Sequence, residues 1–290
     1  MADQSQRAAP LRLGSVAPNF KAVTTKGDID FHEFIGNNWV ILFSHPDDFT
    51  PTCTTELGAF AKLEPEFTKR GVKLIGLSAN GLKSHHDWIK DIDEVTGSNL
   101  QFPIIADADR NVSYLYDMID YQDTTNVDEK GMAMTIRSVF IIDPNKKIRL
   151  IMSYPATTGR NTAEVLRVVD ALQTTDKNTV NTAINWTPGD DVIIPPFVST
   201  EDAEKKFGQV RVVKPDLQGA RSSLGHYSPN KESEKVFFSY CTPWQYDDRE
   251  PLRSLQKDGR RSNDLSHHYC QCIKVTGWEI GLAGESDRNG

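Results

Sequence analysis

Between residues 39 and 172, short and continuously apolar runs alternate with segments of helical periodicity, which restricts this stretch to an α/β architecture. Trp39-Val40-Ile41-Leu42-Phe43 has the composition of a strand buried on both faces. Over residues 53–70, Leu57, Phe60, Ala61 and Phe67 recur at helical spacings, with Pro65 expected to kink the helix and Gly71 to end it. Residues 72–77 predict the next strand. Ser84 followed by Asp87 predicts a capping arrangement that opens a helix through Trp88 and Ile89. Residues 103–106 predict a short strand and 111–118 a short helix. Residues 136–142 and 147–152 flank Asp143-Pro144-Asn145, the pattern of a β-hairpin. Asn161-Thr162 predicts the cap of a helix carrying Val165, Leu166, Val169 and Leu172. Together these imply a mixed sheet covered by helices on both faces. A thioredoxin-like topology is one member of that class, and pattern alone does not select it.

From residue 175 the character changes. Asn185-Trp186-Thr187-Pro188-Gly189-Asp190 is turn-rich, Val192-Ile193-Ile194-Pro195-Pro196 is a short extended piece, and Thr200 is positioned to cap a helix over 201–207. This predicts a small C-terminal module over 175–221, appended to a main domain over 10–174. Residues 222–290 are rich in Ser, Gly and charge and lack sustained periodicity, so they are expected to form a disordered tail.

Lys and Arg total 33 against 40 Asp and Glu, a formal charge of −7 with no basic stretch. Nucleic acid and anionic membrane are therefore not expected as partners. No apolar run approaches the roughly 18 residues of a membrane span, and the first residues lack the apolar core of a secretory signal. Four cysteines, Cys53, Cys241, Cys270 and Cys272, are too few and too unevenly spread for a disulfide scaffold and suit a reducing compartment. The expectation is a cytoplasmic protein, with a mitochondrial pool left open by the Arg-containing N-terminus.

The chemistry concentrates in His45-Pro46-Asp47-Asp48-Phe49-Thr50-Pro51-Thr52-Cys53-Thr54-Thr55-Glu56. This stretch follows the buried strand and leads into the long helix, so Cys53 falls in a helical first turn. Unpaired N–H groups and the helix dipole favour an anion there, hence a thiolate over a thiol. Pro51 suits an N-terminal helical position, and Thr50 lies one turn upstream, within hydrogen-bonding reach of the sulfur. Placement alone leaves a reactive thiolate and a buried structural cysteine equally open.

Pro46-x-x-x-Thr50-x-x-Cys53 matches the active-site signature of peroxiredoxins. The chain further resembles their 1-Cys branch at Val16-Ala17-Pro18-Asn19-Phe20, Leu42-Phe43-Ser44-His45-Pro46, Phe102-Pro103-Ile104-Ile105 and Tyr154-Pro155-Ala156-Thr157-Thr158-Gly159-Arg160-Asn161, over residues 10–217. The resemblance implies a thioredoxin-like fold with a small C-terminal peroxiredoxin module. It implies thiol-dependent reduction of hydrogen peroxide and organic hydroperoxides in antioxidant defence. By the same resemblance Cys53 is the peroxidatic nucleophile that becomes a sulfenic acid, and Thr50 hydrogen-bonds peroxide and sulfur. Pro46 shields the pocket, and Arg137 holds the thiolate and polarises the peroxide. His45 is expected near the sulfur, Glu56 as the carboxylate orienting Arg137 or Arg160, and Arg160 as a second arginine beside the pocket.

Where a 2-Cys member carries a resolving cysteine, this chain has Thr182, so the sulfenic acid is expected to be reduced by an external thiol of the glutathione, thioredoxin or glutaredoxin type. No metal or organic cofactor is implied, and a homodimer is. A tail cysteine could reach Cys53, since long loops close cheaply, but no family motif assigns one. The His267-His268-Tyr269-Cys270-Gln271-Cys272 spacing matches no standard zinc motif. A phospholipase activity credited to some 1-Cys members needs a Ser in Gly-Asp-Ser-Trp with a His and an Asp. Here His32 is present, but the segment reads Gly36-Asn37-Asn38-Trp39 and Asn145 stands at the acid's position, so that mechanism lacks its nucleophile. A dithiol oxidoreductase would need a cysteine where Thr50 stands. A redox sensor would use Cys53 without turnover.

Overall fold

The computed structural model describes residues 11–208, 210–213 and 238–241, the backbone alone for 212–213 and 238–241. In chain order the elements are β1 (Lys21–Thr24), β2 (Gly27–Asp30), α1 (Phe31–Ile35), β3 (Trp39–Ser44), α2 (Pro51–Lys69), β4 (Val72–Ser78), α3 (Leu82–Thr96), β5 (Ile104–Ala106), α4 (Asn111–Leu115), β6 (Arg137–Ile142), β7 (Ile148–Tyr154), α5 (Thr162–Asn178), β8 (Asn181–Thr182), β9 (Val192–Ile193), α6 (Thr200–Phe207), β10 (Arg211–Val213) and β11 (Phe238–Cys241). Seven strands form one mixed sheet in the order β2-β1-β5-β4-β3-β6-β7. β3 and β4 run parallel with Ile41 opposite Leu74, while β6 returns antiparallel to β3 with Phe43 opposite Val139. This is the thioredoxin-like α/β arrangement expected from the sequence.

β3 is buried on both faces because its alternating side chains feed two cores. Ile41 and Phe43 join Leu57, Phe60 and Phe67 of α2, Trp88 and Ile92 of α3, and Val165 and Val169 of α5. Val40 and Leu42 face the other way, into Phe31 and Ile35 of α1, Val112 of α4 and Tyr116 at its C-terminal end. A strand with no solvent face cannot slip by one residue, and its C-terminal end is fixed accordingly. That end carries the motif.

Three local readings are corrected. Ser84 does not cap α3; Gly81 stands at that position, and the Ser84 hydroxyl donates instead to Asp48 Oδ2 at 2.6 Å. A buried carboxylate is the stronger acceptor, and it draws the side chain away from its own helix. The cap of α6 is Ser199, whose Oγ accepts from Asp202 N, one residue before the expected Thr200. The helix expected over 111–118 ends at Leu115, with Asp117 in the left-handed region at φ 51. The cap of α5 is Asn161 as expected, accepting from Glu164 N, and β6 and β7 pair as the expected hairpin.

The small module has a core of its own: Val180, Trp186, Val192, Ile194, Ala203 and Phe207, with Ala171 of α5 packed against it. Arg167 of α5 donates to Trp186 O at 3.0 Å and ties it to the main domain. Its four short strands pair antiparallel in the order β10-β11-β9-β8. The expected tail lies outside the described residues except at Phe238–Cys241, where Tyr240 pairs with Ile193 and Arg211 in a short strand. The β-favouring Phe-Ser-Tyr run accounts for that strand inside an otherwise aperiodic stretch.

Candidate active site

After Ser44 the chain leaves the sheet edge, and Thr50 becomes the N-cap of α2 in extended geometry with Pro51 in the first turn. Between them Phe49 is held at φ 56, a left-handed conformation that a bulky residue adopts only under constraint. The first intrahelical bond runs from Thr54 N to Thr50 O, so the N–H groups of Thr52 and Cys53 have no acceptor within the helix. Cys53 sits at this turn with 0 % of its surface exposed.

Arg137, the first residue of β6, places Nη1 3.3 Å from Cys53 Sγ and 2.6 Å from Glu56 Oε2. Its Nε and Nη2 both donate to Ala156 O, at 2.9 and 2.7 Å, so the guanidinium cannot rotate away from the sulfur. Arg160 grips the other side of the same carboxylate: N and Nε donate to Oε1 at 2.7 and 3.1 Å, and Nη2 to Oε2 at 2.8 Å. Its remaining Nη1 donates to the carbonyls of Ser44 and Ser138, and the planar group lies over Phe43 and Phe60. Every Glu56 lone pair that matters is engaged. Burial pushes the Glu56 carboxyl up, but Arg160 and then Arg137 outweigh it and hold the group below its ordinary value. Burial likewise draws Arg160 down from its ordinary value against the pull of Glu56, though a guanidinium stays charged throughout the physiological range. Glu56 therefore orients both arginines at once, where the sequence reading offered one or the other.

The remaining site residues fall less directly. Pro46 is buried in the loop ahead of Cys53. The Thr50 hydroxyl donates to Asp47 O at 3.1 Å and makes no hydrogen bond to Sγ, and its lone pairs remain to accept. The loop turns back on itself there, and the nearer carbonyl takes the proton. His45 is wholly buried, with Nε2 2.8 Å from Asp48 Oδ1 and its ring 4.9 Å from that of Trp88; none of its hydrogen bonds reaches Sγ. Trp88 Nε1 in turn donates to Thr54 Oγ1, on the residue after Cys53.

Asp48 and His85 escaped the sequence reading as site residues, and Ser84 entered it only as a helix cap. The available signal was an acid three residues after His45 in a stretch destined for burial. Among the described residues, His45, Asp48 and His85 are the one cluster of three metal-ligand side chains. Donors sharing one tetrahedral zinc ion would lie about 3.3 Å apart. The 2.8 Å contacts of Asp48 with both histidines are those of direct hydrogen bonds. His32, singled out for a lipase-like triad, is spent on Ala17 O at 2.7 Å. Cys270 and Cys272 lie outside the described residues, and no described helix is long and apolar enough to cross a membrane.

Comparison with known proteins agrees with this geometry. Residues 13–151 match the AhpC/TSA family, and residues 171–209 match the C-terminal domain of 1-Cys peroxiredoxin. The chain is 59 % identical over 213 residues to Peroxiredoxin PRX1, mitochondrial, of Saccharomyces cerevisiae, covering 73 % of this chain and 81 % of that protein. It is 52 % identical over 201 residues to Peroxiredoxin-6 of Homo sapiens, covering 68 % and 88 %. A cysteine-to-serine variant of the peroxiredoxin 6 of Arenicola marina superposes with a TM-score of 0.71 at 40 % identity, over 80 % of this chain and 98 % of that one. The yeast mitochondrial 1-Cys peroxiredoxin, solved for its thiol-resolving mechanism via glutathione and thioredoxin systems, gives 0.66 at 52 % identity over 80 % and 99 %. With a buried cysteine at a helix start, an arginine on its sulfur and family matches over residues 13–151 and 171–209, the protein belongs to the peroxiredoxins of the 1-Cys type, thiol peroxidases that reduce peroxides with an external thiol.

Proposed function

We propose that Cys53 is the peroxidatic nucleophile, and the observation that carries this is Arg137 Nη1 at 3.3 Å from its buried sulfur. With Cys53 as thiolate, its charge and that of Glu56 balance Arg137 and Arg160. As a thiol it would leave one buried positive charge uncompensated. The thiolate attacks the terminal oxygen of R–O–O–H, an S–O bond forms as the O–O bond breaks, and RO⁻ departs to be protonated as ROH. Arg137 and the free N–H groups of the first helical turn face the charge that develops. The Cys53 sulfenic acid then condenses with an external thiol, releasing water, and a second thiol displaces Cys53 from the mixed disulfide. Every electron comes from thiols. Pro46 walls the sulfur from solvent, and Thr50 acts through the acceptor lone pairs left on its hydroxyl.

Arg137→Ala is expected to slow Cys53 oxidation by hydrogen peroxide by about a hundredfold or more, the usual consequence of removing one preorganised donor from a developing charge. The thiolate absorbance of the reduced variant at neutral pH should fall in parallel. Stopped-flow fluorescence gives the rate, and a wild-type rate with wild-type absorbance would make Arg137 a structural cation.

The physiological reductant in this reading is a thiol of the glutathione or thioredoxin system, supported by the thiol-resolving mechanism of the yeast mitochondrial 1-Cys peroxiredoxin via those systems. Thr182, in β8, offers no thiol for internal resolution. We further read the protein as a homodimer on family grounds, which light scattering checks. Its location is read as cytoplasmic with a mitochondrial pool, the latter supported by the name of the yeast relative and checked by cell fractionation. Truncation after Ala220 removes β11 from between β9 and β10. It should leave the peroxidase rate with external thiol within about twofold, less than 1 kcal/mol of barrier. Amide exchange should nonetheless accelerate at Val192 and Ile193.

A further inference from the structure

Asp48 is buried with its side chain wholly enclosed, and three donors converge on it. His45 Nε2 lies 2.8 Å from Oδ1, while His85 Nδ1 and Ser84 Oγ lie 2.8 and 2.6 Å from Oδ2. Its own N–H donates to Asn80 Oδ1 at 3.2 Å, and Asn80 Nδ2 donates to Asp47 Oδ1 at 2.7 Å. The loop carrying Pro46, Phe49 and Thr50 is thereby fastened to the turn after β4 and the first turn of α3.

The hydrogen-bond inventory fixes the protons. Burial pushes the Asp48 carboxyl up, but His45 and His85 outweigh it and hold the group far below the ordinary carboxylate range, so it is ionised and only accepts. Both histidine nitrogens that face it must therefore carry protons. The far nitrogen of His85, Nε2, lies 3.2 Å from Ile105 O, and a carbonyl also only accepts. His85 thus faces an acceptor from each ring nitrogen, the hydrogen-bond geometry of an imidazolium. His45 is the opposite case. Its Nε2 proton is used on Asp48, and Nδ1 is buried with no partner among the described residues. Burial pulls the His45 imidazole below its ordinary value, so the ring is neutral and Nδ1 is bare.

We propose that Asp48 and His85 form a buried ion pair that positions the peroxidatic site, locking His45 in its Nε2–H tautomer and pinning the cysteine-bearing loop to α3. The inference rests on the reading of Cys53 as peroxidatic. It adds two positioning residues, neither of which touches the sulfur. The pair is electrically neutral as a unit, so it steadies the loop without adding net charge to the balance among Cys53, Glu56, Arg137 and Arg160. Its mechanical route is short: the His45 ring packs on Trp88, and Trp88 Nε1 holds Thr54, the neighbour of Cys53.

The direct test uses the unmodified, full-length reduced protein. Long-range proton–nitrogen correlation of the histidine rings at pH 7.5, assigned with His45→Gln and His85→Gln, should show two protonated nitrogens for His85. It should show one protonated Nε2 and one bare Nδ1 for His45. A bare nitrogen on His85, or a protonated Nδ1 on His45, overturns the proposal whatever the fate of the Cys53 assignment. Asp48→Asn keeps the shape but offers one acceptor oxygen, and an amide donor in place of the other, to three donors. It should erase the His45 tautomer signature and slow Cys53 oxidation by hydrogen peroxide by about tenfold or more, the scale of losing a residue that orients a working group. A folded Asp48→Asn protein that oxidises at the wild-type rate, judged against its circular dichroism, also overturns it. Should that variant not fold, the histidine spectrum of the wild type decides alone.

Discussion

Cys53→Ser abolishes peroxide reduction, while a variant lacking Cys241, Cys270 and Cys272 keeps most of it. The substitution is close to isosteric, so the site around it survives: a serine hydroxyl can still accept from Arg137 Nη1, which stands 3.3 Å from the sulfur. What disappears is the nucleophile. An alcohol does not ionise near neutrality, and no general base is hydrogen-bonded to this position in the way a catalytic serine needs. Stability should fall as well, because a neutral serine no longer balances the second buried guanidinium beside Glu56. Peroxide consumption with an external thiol, followed beside urea unfolding of the same sample, separates lost chemistry from lost structure. Residual turnover in Cys53→Ser would end the assignment. Loss of turnover in the triple variant, with a Cys53–tail disulfide trapped in the parent, would make one of the tail cysteines a resolving thiol.

Glu56→Ala carries the second large effect, this time on the fold. Its carboxylate, side chain 4 % exposed, is the shared anion of two buried guanidiniums at 2.6 and 2.8 Å. Removing one partner of such a cluster strands the others, at a cost of about 3–5 kcal/mol. The oxidation rate should fall as well, because Arg137 loses the bond that aims it. A loss below about 1 kcal/mol in urea unfolding would show that Arg160 is held by its carbonyl partners alone. The same carboxylate sets a pH dependence. Its folded-state value lies below the ordinary 4.5, so the folded protein binds fewer protons than the unfolded chain in that window. The stabilisation is complete above about pH 4.5 and is lost as the pH falls through the folded-state value. Asp48 works in the same direction. Glu56→Gln should therefore flatten part of the acid limb of stability while leaving its neutral plateau lowered.

Much of this was readable in the residues, and the division follows sequence distance. The five apolar residues of β3, the helix start at Pro51, the Asp143-Pro144-Asn145 hairpin and the Asn161 cap are local patterns, decided within a few positions. Glu56 meeting Arg137 and Arg160 spans 81 and 104 positions, and periodicity does not encode such pairings. There the family resemblance supplied the candidates and the fold supplied the geometry. Ser84 misled for the same reason: its local environment offers a cap, while a carboxylate 36 residues earlier is the better acceptor. Asp48 and His85 stayed hidden because a single acid in a polar-looking motif gives no sign that it will be sealed from water with two histidines.

The complete enclosure of Cys53 divides the cycle by the size of the visitor. Hydrogen peroxide is little larger than water and can slip to a sulfur that shows no surface, but a tripeptide thiol cannot. Reduction must await an excursion in which the start of α2 frays and lifts the sulfenic acid into view. The strained Phe49, at φ 56, lowers the cost of that excursion, since about 1–3 kcal/mol of backbone strain is released when the loop lets go. On this geometry the enzyme is open to a small oxidant and closed to a bulkier reductant. How long it remains oxidised after a burst of peroxide is set by the breathing of one loop as much as by the supply of thiol.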